Sequence, residues 1–253
     1  MSEHDREAVD VSMRTRALRE EVSEKFFKGT GATYDRVVAW TTLGLDKRWK
    51  KRLWAQVPTD AHRILDLACG TGIVLGGLHR RAPNAKLVGV DFTADYIEVA
   101  RQRMAATDAD VTFVHGNAEE MQLEGTFDVV VSSYIPKYVD PDVLLDRLAP
   151  HVEPGTVLAF HDFAFPRGAA RFFWRRWMRL IGWLGPKIWP AWKVCFDENL
   201  EQLIEQSKWH RTYPKALEAR GWVDVRMHKL SWRTAILVTA RRPGARAEGP
   251  SSP

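Results

Sequence analysis

Cysteine is scarce in this sequence, and metal-ligand spacing is absent. Cys69 and Cys195 are the two cysteines in 253 residues, far apart and without metal-ligand spacing. Reduced thiols are expected, with neither a disulfide framework nor a metal centre. No apolar run reaches the roughly 18 residues that a membrane-spanning helix needs. The stretch MSEHDREAVDVSMRTRALREE lacks the apolar centre of a secretory signal, so a cytoplasmic chain is expected. Neither sign of charge dominates, and a net +5 is too small to mark the whole surface for nucleic acid. Acid, however, is locally missing. Seven basic residues and no Asp or Glu fall between Arg167 and Lys193, and five tryptophans stand among them from Phe172 to Trp192.

The remainder reads as a globular α/β chain, 45% apolar and 27% charged. Residues 1–24 have the pattern of a charged helix, and Phe26 to Val57 is mostly helical. From there the rhythm alternates. RILDLA (63–68), KLVGVD (86–91), VTFVH (111–115), FDVVVSS (127–133) and TVLAFHDF (156–163) are apolar strands with helical stretches between them. Alternation of this kind predicts a parallel sheet with right-handed crossovers. It stops after Phe165 for about fifty residues, resumes with a helix near Pro214–Arg220 capped by Gly221, and ends in two strands joined by so short a link that they must be antiparallel. The expected divisions are a helical segment 1–57, a core 58–165, an aromatic and basic insertion 166–211, completion of the sheet over 212–241, and a disordered tail 242–253.

Asp66-Leu-Ala-Cys-Gly70-Thr-Gly72 lies where the first strand hands over to the first helix. Its glycines allow a sharp turn and close approach of a ligand. Asp91, about twenty residues on, ends the second strand where a carboxylate can hold both ribose hydroxyls. A dinucleotide site would place a third glycine at 75, where this chain has Leu75, and an acid at 66 is a poor neighbour for phosphate. S-adenosyl-L-methionine, with an ammonium, a sulfonium and no phosphate, fits this charge pattern better.

On these residues the sequence resembles the class I S-adenosylmethionine-dependent methyltransferases. ILDLACGTG is similar to their first motif, GVDFTADYIEVAR to the acidic second-strand motif, HGNAEEMQLEGTFDVVVSS to the adenine-facing segment, and VEPGTVLAFHDF to the fifth strand with its Pro-Gly turn. The resemblance covers residues 60–165 and 212–240. It implies an α/β, Rossmann-like fold: a seven-stranded, mostly parallel sheet with an antiparallel last strand and helices on both faces. It further implies that Asp66, Ala68, Gly70 and Gly72 line the methionine end, with Asp91 on ribose and Phe92 on adenine. Asn117 would bond the adenine amine beside Ala118, and Ser132 or Ser133 would lie by the transferable methyl.

A narrower resemblance bears on the acceptor. FFKGTGATYDRVVAWTTLGLDKRWKKRLW (26–54), with Tyr34-Asp35, Gly44 and Trp49-Lys50, is similar to the opening segment of the ubiquinone/menaquinone biosynthesis C-methyltransferases. Asp162-Phe163 followed by Pro166 is similar to their exit from strand five. After strand four that family carries Phe-Gly-Leu-Arg-Asn; here Tyr134-Ile-Pro-Lys137-Tyr138 stands instead, and Lys137 keeps the charge without the planar fork. The resemblance implies a lipophilic quinol as methyl acceptor, with another small phenol, lipid or metabolite as the alternative. Base methylation of nucleic acid is not expected, because the Asn/Asp-Pro-Pro-Tyr motif is missing. For removal of a phenolic proton the candidates are His161 and Asp162, with Tyr34, Tyr134 and Lys137 placed to hold the phenolate. The 168–192 stretch reads as a helix with Arg171, Arg175 and Arg179 on one stripe and Phe173, Trp177, Leu180, Ile181 and Leu184 opposite, ended by Pro186 and Pro190. Such a helix can lie against the inner face of a membrane or simply cover the acceptor. Self-association into a homodimer stays open.

Overall fold

The computed structural model describes residue 21 and residues 24–197 and 200–244. Most of the expected helix over 1–24, and the tail from 245 on, lie outside these. Seven strands form one sheet in the order β3-β2-β1-β4-β5-β7-β6. They are β1 (Arg63–Leu67), β2 (Lys86–Asp91), β3 (Val111–His115), β4 (Phe127–Ser133), β5 (Val152–Phe163), β6 (Val223–Leu230) and β7 (Ala235–Arg241). The first five run parallel, and β7 inserts between β5 and β6 antiparallel to both. The reversed strand is therefore β7 alone, as expected.

Period-two alternation sorts each central strand onto two faces. Leu65, Leu67, Val130, Leu158, Phe160, Ile236 and Val238 join one core; Ile64, Val129, Val131, Val157, Ala159 and Leu237 join the other. Burial on both faces explains the near-continuous apolar strands. The first core is closed by α5 (Pro141–Leu148) and α9 (Trp209–Ala219). The second is closed by α2 (Leu45–Trp54) and α3 (Ile73–Arg81), with Met104 of α4 (Ala94–Met104). Local signals fix the helix ends. The Asp140 carboxylate accepts the N–H groups of Asp142 (2.9 Å) and Val143 (3.4 Å), with Pro141 in the first turn. Gly221, at φ 75°, ends α9 as expected, with Gly221 N donating to Glu218 O and Trp222 N to Leu217 O, both at 3.0 Å.

A third apolar cluster sits above the carboxyl ends of the strands. It joins Phe26 and Val37 of the N-terminal segment to Tyr138, Trp192, Cys195 and Leu203. Here α1 (Gly31–Thr41) meets α6 (Ala169–Ile188), α7 (Lys193–Asp197) and α8 (Leu200–Ser207). Trp177 Nε1 donates to Thr41 O and Trp192 Nε1 to Thr33 Oγ1, each at 2.8 Å, so the insertion and the N-terminal segment form one roof.

Two expectations for the insertion are corrected. Pro186 does not end α6, which runs to Ile188; the proline falls in the last turn, where one main-chain bond is forfeited, and Phe196 packing against Gly185 holds that turn down. The arginine stripe is also not free. Arg175 pairs with Glu201 (2.7 Å) and Arg171 with Glu205 (3.4 Å), while both guanidiniums lie over the Phe165 ring. Acids absent from the local sequence come from α8. Basic and aromatic residues therefore share the outer face of α6 instead of dividing it.

Trp54, at the end of α2, lies flat on Gly77 of α3 and donates to Val74 O at 3.2 Å. A Cβ at Gly77 would stand 1.9 Å from Trp54 Cε2. Gly→Ala inside a helix ordinarily gains about 0.5–1 kcal/mol. Gly77→Ala should instead lose about 1–3 kcal/mol through overpacking, read as a lowered urea midpoint. A gain would show that Trp54 does not anchor the N-terminal segment.

Candidate active site

The turn between β1 and α3 passes through left-handed backbone three times, at Ala68 (φ 55°), Gly70 (φ 54°) and Gly72 (φ 78°). Two glycines answer different needs. Gly70 borders open space, with Tyr96 3.9 Å from its would-be Cβ, whereas Gly72 packs on Ala100, where a Cβ would meet carbon at 3.1 Å. Asp91 clamps this turn to the end of β2. Its Oδ2 accepts Gly70 N–H at 2.8 Å and its Oδ1 accepts Thr93 N–H at 2.9 Å. Burial pushes the Asp91 carboxyl up, and these two N–H groups pull it back down.

A cavity opens here, across the switch between β1 and β4 where an open sheet receives its ligand. Ala68, Gly70, Asp91, Phe92, Asn117, Ala118 and Ser133 all line it. Gly72 and Asp66 are not among its wall residues; Gly72 serves helix packing, and Asp66 is fully buried. Of the two candidate serines, Ser133 reaches the cavity, while Ser132 is fully buried and donates to Leu67 O at 2.8 Å. Asn117 Oδ1 accepts Glu119 N–H at 2.9 Å. Tyr96 and Glu119 also line the wall, and the sequence reading had passed over both. Tyr96 could have been found from its place on the buried face of α4.

S-adenosylmethionine has a physical test in this site. Both carboxylate oxygens of Asp66 are buried with no hydrogen-bond partner. Burial, then the charge of Asp91, push this carboxyl well above the ordinary carboxylate range. A stranded buried carboxylate costs free energy until a donor arrives, and the ammonium of the methyl donor supplies one. The residues present therefore fit that group. When bound it supplies an electrophilic methyl on sulfur; Asp66 would face its amino group, Asp91 its ribose, and Phe92 and Asn117 its adenine.

The N-terminal segment closes over this cavity. Thr71 Oγ1 donates to Asp35 Oδ1 at 2.6 Å, and Arg103 binds Asp35 and Thr71 together. Thr30 Oγ1 shares a hydrogen bond with Tyr96 Oη at 2.8 Å, and Gly31 N donates to Asp95 Oδ2 at 3.0 Å. Phe27 and Tyr34 thereby become walls of the cavity.

A second cavity of about 820 Å³ lies beyond, overwhelmingly apolar, beneath α6. Phe27, Tyr34, Tyr134 and Tyr138 border both cavities, so the two share a wall of rings. Lys137 brings a charge to the second one. Its Nζ donates to Asp162 Oδ1 at 2.8 Å and lies 4.3 Å from the Tyr138 ring centre. Burial drives Lys137 down and Asp162 up, and each opposes the other's shift. Asp162 also accepts the N–H groups of Lys137 (3.0 Å) and Phe163 (2.7 Å), which favour its carboxylate form against burial.

The two candidate bases sit differently from the other predicted residues. Asp162 and His161 line neither cavity. Ser133 and His161 face each other across β4 and β5, and Ser133 Oγ bonds His161 Nδ1 at 3.0 Å. Burial, aided by the charges of Lys50 and Lys137, holds the imidazole neutral. His161 therefore backs Ser133, and Asp162 positions Lys137. Sequence reasoning missed Asp46, whose carboxylate accepts Lys50 Nζ at 2.6 and 2.7 Å and Tyr134 Oη at 2.5 Å.

A sheet in this order, a glycine turn after β1 and an acid ending β2 define a class I S-adenosylmethionine-dependent methyltransferase. Residues 64–155 match the methyltransferase domain family. The chain is 32% identical over 243 residues to a demethylmenaquinone methyltransferase of Clavibacter sepedonicus, covering 92% of this chain and 98% of that one. To the enzyme of that name from Thermus thermophilus it is 31% identical, with 86% and 100% covered. The crystal structure of the plantazolicin methyltransferase BpumL with a substrate analog and SAH shares the fold, at TM-score 0.63 and 14% identity over 95% of this chain and 99% of that one. At this identity and coverage, the chain belongs to the demethylmenaquinone methyltransferase family.

An ammonium beside Asp66 favours its ionised form, so cofactor binding releases a proton below the raised pKa. Affinity should then rise with pH through that value, until the ligand's own amino group deprotonates near about 8. Asp66→Asn should abolish the rise and weaken binding about 10- to 100-fold, from about 1.5–3 kcal/mol for a hydrogen bond to a charged group. Calorimetry in buffers of different ionisation heat reads both; wild-type affinity in the variant would remove Asp66 from the site.

Proposed function

We propose that this enzyme methylates a ring carbon of a polyprenyl quinol, reached from a membrane surface. One observation carries the reading: the 820 Å³ apolar cavity shares a wall with the cofactor cavity, and of its charged lining residues Lys137, Arg179 and Glu201, Lys137 is the buried one, deep among rings. Its size falls within the usual range for sites that take large organic ligands. Full-length relatives named demethylmenaquinone methyltransferase support the same acceptor class.

The chemistry follows from the walls. A quinol hydroxyl that has lost its proton pushes electron density to the neighbouring ring carbon, which is otherwise a weak nucleophile. The ammonium of Lys137 stabilises the resulting phenolate in a water-poor site, where charge acts strongly. The ring wall of Tyr34, Tyr134 and Tyr138 aligns the acceptor against the methyl donor's end of the other cavity.

The mouth suits a lipid tail. Phe173 is 69% exposed, Trp232 84% and Leu43 67%, and all three line the large cavity. Along the outer face of α6, Phe172, Leu180 and Trp183 lie among Arg176 and Lys187, with Lys187 Nζ 3.8 Å from the Trp183 ring centre. No helix among the described residues is long and apolar enough to cross a membrane. Exposed rings mixed with cations favour instead a helix lying in the interface, where each basic residue adds about 1 kcal/mol on anionic lipid.

Incubation with methyl-labelled donor and demethylmenaquinol in anionic vesicles should place label on the quinone ring. Label on other lipids or soluble metabolites, with none on quinol, would overturn the acceptor. Phe172→Glu with Trp183→Glu should cut vesicle co-sedimentation about tenfold or more, given about 1.5–3 kcal/mol for each large side chain. Turnover of a short-tailed, water-soluble quinol should persist in that variant. Undiminished vesicle binding would leave α6 as a cover alone.

A further inference from the structure

Tyr134 is held in a backbone conformation that a bulky side chain rarely adopts. Its φ is 81°, immediately after β4, and such residues cost on the order of 1–3 kcal/mol and gather at functional sites. Neighbours enforce it: Tyr134 N donates to His161 O at 2.8 Å, and its ring stacks on Phe163 at 4.8 Å. The ring belongs to the wall between the two cavities. Behind it, Tyr134 Oη donates at 2.5 Å to Asp46 Oδ1, which Lys50 holds from α2. Packing alone does not call for this arrangement. Phenylalanine would stack as well, and a buried ion pair is often no better for stability than apolar side chains of the same volume.

Other groups near the acceptor are already committed. Asp162 accepts three donors, and His161 sits neutral behind Ser133. Among the described residues, Tyr134 is the one of the three shared tyrosines whose hydroxyl is bonded to a carboxylate. The charged and titratable groups facing it are Asp46 and Lys50 from α2, Lys137 from the loop after β4, His161 and Asp162 from β5, and Tyr34 from α1.

We propose that Tyr134 is a catalytic residue that carries the acceptor hydroxyl's proton to Asp46, an inference that rests on the phenolic acceptor argued above. The acceptor O–H bond breaks as its proton passes to Tyr134 Oη, while the proton of Tyr134 passes to Asp46 Oδ1. The electron pair left on the acceptor oxygen delocalises to the adjacent ring carbon. The phenolate is met by Lys137, which lines the large cavity with its Nζ 5.5 Å from the Tyr134 ring centre, while Lys50, 5.1 Å from that centre, stays on Asp46. Once the carbon is methylated, its own proton leaves to water, and the proton held on Asp46 returns through Tyr134 to the acceptor oxygen. The balance is one proton released per turnover.

Tyr134→Phe and Asp46→Asn, each near-isosteric, test this in the full chain with demethylmenaquinol. General-base catalysis contributes about 10²- to 10⁴-fold, so kcat should fall at least about 100-fold while calorimetric affinity for the methyl donor is kept. The deficit should shrink as acceptors with more acidic hydroxyls are used, and the variants' kcat should climb with pH where the wild type is flat. A direct readout uses 4-nitro-1-naphthol with SAH at a pH low enough to keep the free naphthol protonated. In the wild type, phenolate absorbance should appear together with a new carboxylic-acid band in the infrared difference spectrum, and the band should be missing from both variants. Unimpaired turnover, a loss independent of acceptor acidity, or a bound naphtholate without the acid band would overturn the relay. Wild-type protein that methylates no phenolic ring would overturn the acceptor reading as well, so the two failures are distinct.

Discussion

Four aspartates buried at the carboxyl edge of the sheet set the terms for much of what surrounds them. Asp46, Asp66, Asp91 and Asp162 are each at most 6% exposed, and a buried carboxylate is tolerable only with donors around it. Asp91 finds two backbone N–H groups, and in taking them it shapes the glycine turn. Asp162 finds Lys137 and two more N–H groups, and so fixes a cation against the large cavity. Asp46 finds Lys50 and a tyrosine. Among the described residues, Asp66 alone of the four has no hydrogen-bond partner. The positions of donors, cavities and walls all follow from satisfying these four groups.

Much of the fold could be read from the sequence because it rests on local patterns. Alternating apolar strands, the Gly221 cap and the short link between the last two strands each have a signature that tertiary packing leaves intact. The cofactor cavity was similarly legible: Ala68, Gly70, Asp91, Phe92, Asn117, Ala118 and Ser133 cluster because strand ends in a parallel sheet must converge. The finer roles were not. Gly72 reads like Gly70 in sequence, yet its missing Cβ serves Ala100.

Long-range pairing explains the remaining misses. Asp46 and Lys50 stand four apart on a helix, a spacing that normally means a solvated ion pair; here the pair is buried, with Tyr134 approaching from 88 positions away. The arginines of α6 looked unopposed because their acids lie a helix further on, in Glu201 and Glu205. His161 and Asp162 are adjacent in sequence at the end of β5, but a strand turns neighbours to opposite faces. One therefore meets Ser133 and the other Lys137, and neither opens to a cavity. No periodicity in the sequence carries that information.

The N-terminal segment carries Phe27 and Tyr34 into both cavities and is tied down through Asp35, Thr71 and Arg103. A single strap therefore roofs two compartments. Phe27 and Tyr34 cannot shift without changing the wall of both cavities at once. Unbuckling those three polar side chains would open both compartments with one motion, remote from the bond being made.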